Sequence, residues 1–199
     1  NIAKNLLCMH GAIDSQKFRS GTLTIEERRD LSSHVGELYD APLYIDDTPG
    51  ISPFELRLSA RRLQDKFGIK AIFVDYLQLM RINEHTESRQ VEISKISGSL
   101  KALAMELKVP VIALSQLSRK LEERTDKRPM MSDLRESGSI EQDADTIIML
   151  FREWIHDKTK PEKGAEINVV KQRNGPTCGC PLVFLSNLLR FENAEYPYG

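Results

Sequence analysis

Two hydrophobic rhythms share this chain, one with helical spacing and one made of short unbroken apolar runs. After Thr24 come the acids Glu26 and Glu27, and then Leu31, Val35 and Leu38 recur at helical intervals. This predicts a helix that ends before Ala41-Pro42. Residues 43–47, Leu-Tyr-Ile-Asp-Asp, predict a short strand closed by Thr48-Pro49-Gly50. Ser52-Pro53 opens a second helix with Leu56, Ala60 and Leu63 on one face, and Gly68 stops it. The run Ala71-Ile-Phe-Val-Asp75-Tyr-Leu-Gln-Leu-Met80 does not alternate, which predicts a strand covered on both faces. A polar stretch then leads into a third helix carrying Ile93, Ile96, Leu100, Leu103 and Leu107.

Val109-Pro-Val-Ile-Ala-Leu-Ser115-Gln116 predicts another buried strand. Strands alternating with helices specify an α/β protein with a parallel sheet and right-handed crossovers. A long charged segment follows, in which residues 139–143 predict a short helix. The runs at 146–151, 165–170 and 182–185, with Asn174-Gly175-Pro176 as a turn, then predict antiparallel strands added to the parallel core.

Ligands of such sheets sit at the carboxyl ends of the strands. Asp75 and Gln116 therefore share a predicted ligand edge, and in nucleotide-hydrolysing proteins an acid of this kind holds the magnesium that accompanies the triphosphate. The competing reading of Asp75 is a turn cap or an arginine partner, and the strand alone does not choose between them.

With 199 residues and 40% hydrophobic content the chain suits one domain spanning 1–199. Charged residues make up 29% at a net charge of −1, so attraction to nucleic acid must come from a local patch. Cys8, Cys178 and Cys180 are odd in number. Cys178-Gly-Cys180 is too isolated to complete a four-ligand site with His10, His34, His85 or His156, so the cysteines read as free thiols in a reducing cytoplasm. No apolar stretch approaches the ~20 residues of a membrane span, and the first residues lack the apolar core of a secretion signal. The expectation is a soluble cytoplasmic protein with no membrane contact.

Several stretches together resemble the C-terminal motor domain of the DnaB-type hexameric replicative DNA helicases. Phe73-Val-Asp75-Tyr-Leu-Gln78-Leu resembles the family's magnesium-binding strand, and Val111-Ile-Ala-Leu-Ser115-Gln116-Leu-Ser its following motif. The segment from Arg128 to Asp145 resembles its DNA-binding loop, and Lys171-Gln-Arg173-Asn-Gly-Pro176 its inter-subunit finger. The likeness runs from Leu7 to Glu192. It implies a RecA-like three-layer fold with a mostly parallel central sheet extended by antiparallel strands. It also implies an ATP- and Mg2+-dependent motor that translocates on single-stranded DNA and unwinds the duplex 5′ to 3′. Asp75 then holds the metal, Gln116 senses the γ-phosphate, and Lys171 and Arg173 reach the nucleotide of an adjacent subunit. Arg135, Glu136 and Gly138 line the DNA path. The implied partners are identical subunits in a hexameric ring, a primase and a helicase loader.

The family's phosphate loop, G-x-x-x-x-G-K-[ST], occurs nowhere in the sequence. The strand carrying the family's catalytic glutamate, part of a unit of roughly thirty residues, is also missing between Asn5 and Leu7, so the motor domain reads as incomplete in its N-terminal part. Two alternatives stand beside the helicase: a non-catalytic module for DNA binding or ring assembly, and a RecA-type recombinase, against which the segment from Arg128 to Asp145 argues.

Overall fold

In the computed structural model, which describes residues 2–82, 85–134 and 138–194, four of the α-helices begin at side-chain caps that the sequence supplies. α1 (Ile2–His10) runs without a break through Asn5 to Leu7. α2 (Ser15–Ser20) starts at Asp14, whose carboxylate accepts from the backbone N–H groups of Gln16 and Lys17. α3 (Ile25–Asp40) and α4 (Pro53–Phe67) both carry full capping boxes, Thr24 with Glu27 and Ser52 with Glu55. Gly68 ends α4 in the left-handed conformation at φ 63°. α5 (Arg89–Leu107) is capped by Ser88, and a short α6 covers Gly138–Asp143.

β1 (Ile72–Val74) and β2 (Val111–Ala113) pair in parallel, with Ile72 opposite Val111 and Val74 opposite Ala113. A second sheet takes β3 (Thr146–Phe151), β4 (Gly164–Gln172), β5 (Cys178–Leu185) and β6 (Arg190–Asn193) in chain order, β5 and β6 antiparallel.

The contacts gather into two compact units. One comprises residues 1–44, 150–168 and 179–199, the other 45–149 and 169–178. The second holds the main core: Ile93, Ile96, Leu100 and Leu103 of α5 pack with Ile72, Val74, Leu77, Met80, Val109, Ala60 and Ile140. The helical periodicity of α5 thus became burial, as its spacing predicts. In the first unit, Asp14 and Thr24 organise the short helices, and the Arg152 guanidinium lies 4.1 Å from the Phe184 ring centroid.

Four expectations are corrected. Residues 43–47 form no strand: the stretch has no ladder partner among the described residues, and Leu43, Tyr44 and Ile45 are exposed. The run from Ala71 to Met80 supplies only three strand residues before a 3-10 turn at Leu77–Leu79. β1 is also not covered on both faces, because Ile72 and Val74 turn inward while Phe73 is 75% exposed. An unbroken apolar run says that both faces are apolar, not that both have neighbours. Finally, α3 buries no residue despite its periodic Leu31, Val35 and Leu38. β6 lay beyond the predicted elements.

Candidate nucleotide and DNA site

Val74 ends β1, and Asp75 follows it at the strand's carboxyl end, exposed. The next turn begins at Tyr76 without a side-chain cap, and the Asp75 carboxylate has no hydrogen-bond or ion-pair partner among the described residues. Neither bland role, cap or arginine partner, is filled there. The Asp75–Tyr76 peptide bond is cis.

Beside it, Leu114 donates its N–H to the Val74 carbonyl at 2.9 Å, and Leu77 donates to the Leu114 carbonyl at 2.9 Å. This stitches the two strand ends together, and Gln78 completes the join. Its Oε1 accepts from the Gln116 N–H at 3.1 Å, while its Nε2 donates to Ser115 Oγ at 3.1 Å and to the Gln116 carbonyl at 3.4 Å. Gln78 therefore fixes the backbone of Gln116 and leaves the exposed Gln116 side chain without a partner among the described residues. Sequence reasoning quoted Gln78 only as part of a motif. Its place three residues after Asp75, on the turn that closes the strand edge, was the available signal.

Gln78 is held in turn by α5, whose Arg89 donates from Nη2 to the Gln78 carbonyl at 2.6 Å. Arg89 also pairs with Glu92, and Glu92 Oε1 accepts from the Ile82 N–H at 3.1 Å. The Arg89 hydrogen bond, ahead of the Ile82 N–H, holds the Glu92 carboxyl below its ordinary range.

Lys171 lies in β4 and Arg173 one residue past its end, and both reach the same place. Lys171 Nζ donates to the carbonyls of Glu141 and, at 2.8 Å, Ala144. Arg173 donates from Nη2 to the Gln142 carbonyl at 2.7 Å and lies 3.4 Å from an Asp145 carboxylate oxygen. Two cations at the last carbonyls of α6 satisfy groups that a helix end leaves open and oppose its negative dipole end. The predicted finger residues are thus bonded to their own chain. The Lys101 ammonium of α5 also pairs with Asp145, and that hydrogen bond is the main reason the Asp145 carboxyl sits below its ordinary range; Arg173 and Lys171 add to it through space.

Of the predicted DNA residues, Arg135 and Glu136 lie outside the described residues. Gly138 begins α6 and is exposed, and a Cβ there would meet open space. The preceding charged segment is more ordered than its composition suggested. Arg124 makes a two-pronged contact with the buried Asp133, Nη1 at 3.2 Å and Nη2 at 2.8 Å, and Asp133 Oδ2 also accepts from the Met130 N–H. Nothing in the charged segment marks this pairing, because Asp133 is nine residues away from Arg124.

Comparison with known proteins decides the family. The model of the DnaB-like helicase C terminal domain matches residues 1–193. This chain belongs to that family. It is 49% identical over 196 residues to the replicative DNA helicase DnaB of Geobacillus stearothermophilus, covering 98% of this chain and 43% of that protein. It is 48% identical to the replicative DNA helicase DnaC of Bacillus subtilis (strain 168), with the same coverage. Among solved structures, a DnaB-like replicative helicase described with its interactions with primase matches at TM-score 0.91 and 40% identity, over 96% of this chain and 47% of that one. A second solved structure, described as an ATPase domain, matches at the same TM-score and identity, over 69% of its length. The RecA-like α/β expectation for this DnaB-like domain stands on these matches. The chain spans less than half the length of the curated relatives it matches. Among the described residues no helix is long and apolar enough to cross a membrane.

Proposed function

We propose that this DnaB-like domain is the motor part of an ATP-hydrolysing replicative helicase that moves along single-stranded DNA, 5′ to 3′, and separates the duplex. The observation that carries this reading is the unpartnered Asp75 carboxylate at the end of β1, one strand from a Gln116 whose backbone is fixed and whose amide is free to meet a ligand. An exposed carboxylate with no protein partner fits a hard cation such as Mg2+, and bound Mg2+ neutralises charge on the phosphates of ATP. Asp75 is the residue that holds it, and Gln116 reads the γ-phosphate through an amide that both donates and accepts.

Lys171 and Arg173 serve the nucleotide of the neighbouring subunit in a hexameric ring. Arg135, Glu136 and Gly138 line the path of the single strand. One structural neighbour is described with primase, and a primase together with a helicase loader are the partners this reading assigns, in the cytoplasm.

The engagement of Lys171 and Arg173 by their own chain favours one rival, a ring-assembly or DNA-binding module in which both cations are structural. ATP turnover of the full-length protein with Mg2+ and single-stranded DNA separates the two. Asp75→Ala is expected to lower it at least about a hundredfold; an unchanged rate defeats the motor reading.

A further inference from the structure

α3 buries no residue, yet it lies against α1, and the polar groups between the two helices are unusual in kind. His10 is the last residue of α1, while His34 and Glu37 stand one turn apart on α3 and so face the same way. One ligand atom from each of the three lies within 4.8 Å of the others. His10 Nε2–H donates to Glu37 Oε2 at 2.6 Å, His34 Nδ1 lies 3.3 Å from the same oxygen, and the two imidazoles meet edge to face with centroids 5.2 Å apart.

We propose that His10, His34 and Glu37 form a binding site for a divalent transition-metal ion, Zn2+ above all, that ties α1 to α3. Two imidazole nitrogens and a carboxylate oxygen are a donor set suited to such ions and not to Mg2+ or Ca2+, which prefer oxygen. Tetrahedral Zn2+ with bonds of about 2.0–2.1 Å places its ligand atoms about 3.3 Å apart. The His34–Glu37 pair already has that separation. The His10–Glu37 pair is closer and has to open by roughly 0.7 Å to admit the ion.

The site is also reachable. The His10 and Glu37 side chains are 47% and 55% exposed, so an ion can enter and water can occupy the fourth position. The His34 ring depends on Gly11, where a Cβ would come within 2.8 Å of its Cδ2. The residue after His10 therefore leaves the room in which the second imidazole sits.

Without a metal, this knot is an exposed pair of His–Glu contacts, an interaction worth little by itself. With one, it links residues 10 and 37 through coordinate bonds and stabilises the folded state by mass action. The role is structural, and it shares no residue with the predicted nucleotide or DNA groups.

The test uses the full-length protein, freed of metal with a chelator, at fixed neutral pH. Zn2+ is titrated by calorimetry, Co2+ serves as a visible-absorbing probe of the same site, and Tm is followed with and without Zn2+. The wild type should bind one more Zn2+ per subunit than His34→Ala and gain Tm on adding it. His10→Ala and Glu37→Gln should weaken that site at least about tenfold. Glu37→Gln keeps a hydrogen-bond acceptor for His10, so it reports ligation even if an alanine variant loses α3. Equal Zn2+ stoichiometry, affinity and Tm gain in wild type and Glu37→Gln, or no Zn2+ bound by the wild type, would overturn the proposal and leave an ion pair only.

Discussion

The Arg173 guanidinium donates to the backbone carbonyl of Gln142 at 2.7 Å. A side chain proposed to act on a neighbouring subunit is therefore docked on the end of its own α6, with Asp145 as a second partner. To reach a phosphate it must exchange these bonds, and both are exposed enough for the exchange to be inexpensive. Arg173→Ala in the full-length protein is expected to lower DNA-stimulated ATP turnover about a thousandfold. Its thermal stability should shift by no more than about 1 kcal/mol. A stability loss with turnover intact would instead make Arg173 a helix cap and nothing else.

Gln78→Ala removes three hydrogen bonds at the joined ends of β1 and β2. Each is worth about 0.5–1.5 kcal/mol net, more where a partner is left buried. Denaturant unfolding should show a loss of about 1–3 kcal/mol. Because Gln116 loses its backbone anchor while its side chain remains, turnover should fall even at saturating ATP. Retained turnover with the same stability loss would limit Gln78 to a structural tie.

Arg124→Ala leaves the buried Asp133 carboxylate with the Met130 N–H but without its cation. Losing one partner of such a pair is expected to destabilise by about 1–3 kcal/mol. Asp133→Asn paired with Arg124→Gln should recover part of that loss, because the uncompensated charge is gone. No recovery in the double variant would contradict the charge argument.

Acid should loosen the grip on α6. Lys101, chiefly, lowers the Asp145 carboxyl in the folded chain relative to the unfolded one. A depressed folded value means that the contribution is fully present above the ordinary Asp range and is lost as pH falls below about 4 toward the folded value. Unfolding measured from pH 6 to pH 3 should be less pH-dependent in Asp145→Asn than in wild type. Matching slopes would remove Asp145 from the linkage.

The elements that periodicity predicted best are those whose partners are inside the same stretch of chain or close to it. α5 announced Ile93, Ile96, Leu100 and Leu103 as its core face, and Ser52 with Pro53 announced the start of α4, because caps and helical faces are local facts. Residues 43–47 failed as a strand because a strand needs another strand, and the sequence of one does not contain its partner. The same limit hid the site's supports. Asp75 and Gln116 were placed at strand ends from the sequence, but the Gln78 amide that holds the Gln116 backbone acts over 38 residues. His10 and Glu37 are 27 residues apart, and a reading anchored on the cysteines passes over them. The Arg124–Asp133 pair lay equally out of reach, since nothing local marks Asp133 as buried.

α5 touches both halves of the proposed machinery. Arg89 near its start grips the Gln78 carbonyl, and Lys101 twelve residues later grips Asp145, the partner of Arg173. At about 1.5 Å per residue these grips are roughly 18 Å apart along one rod. The rod is seated in the core by side chains such as Ile93 and Ile96, which are fully buried. On the proposed reading one end of this rod stands at the nucleotide edge and the other at the finger's mooring, which gives α5 the placement of a pushrod between them.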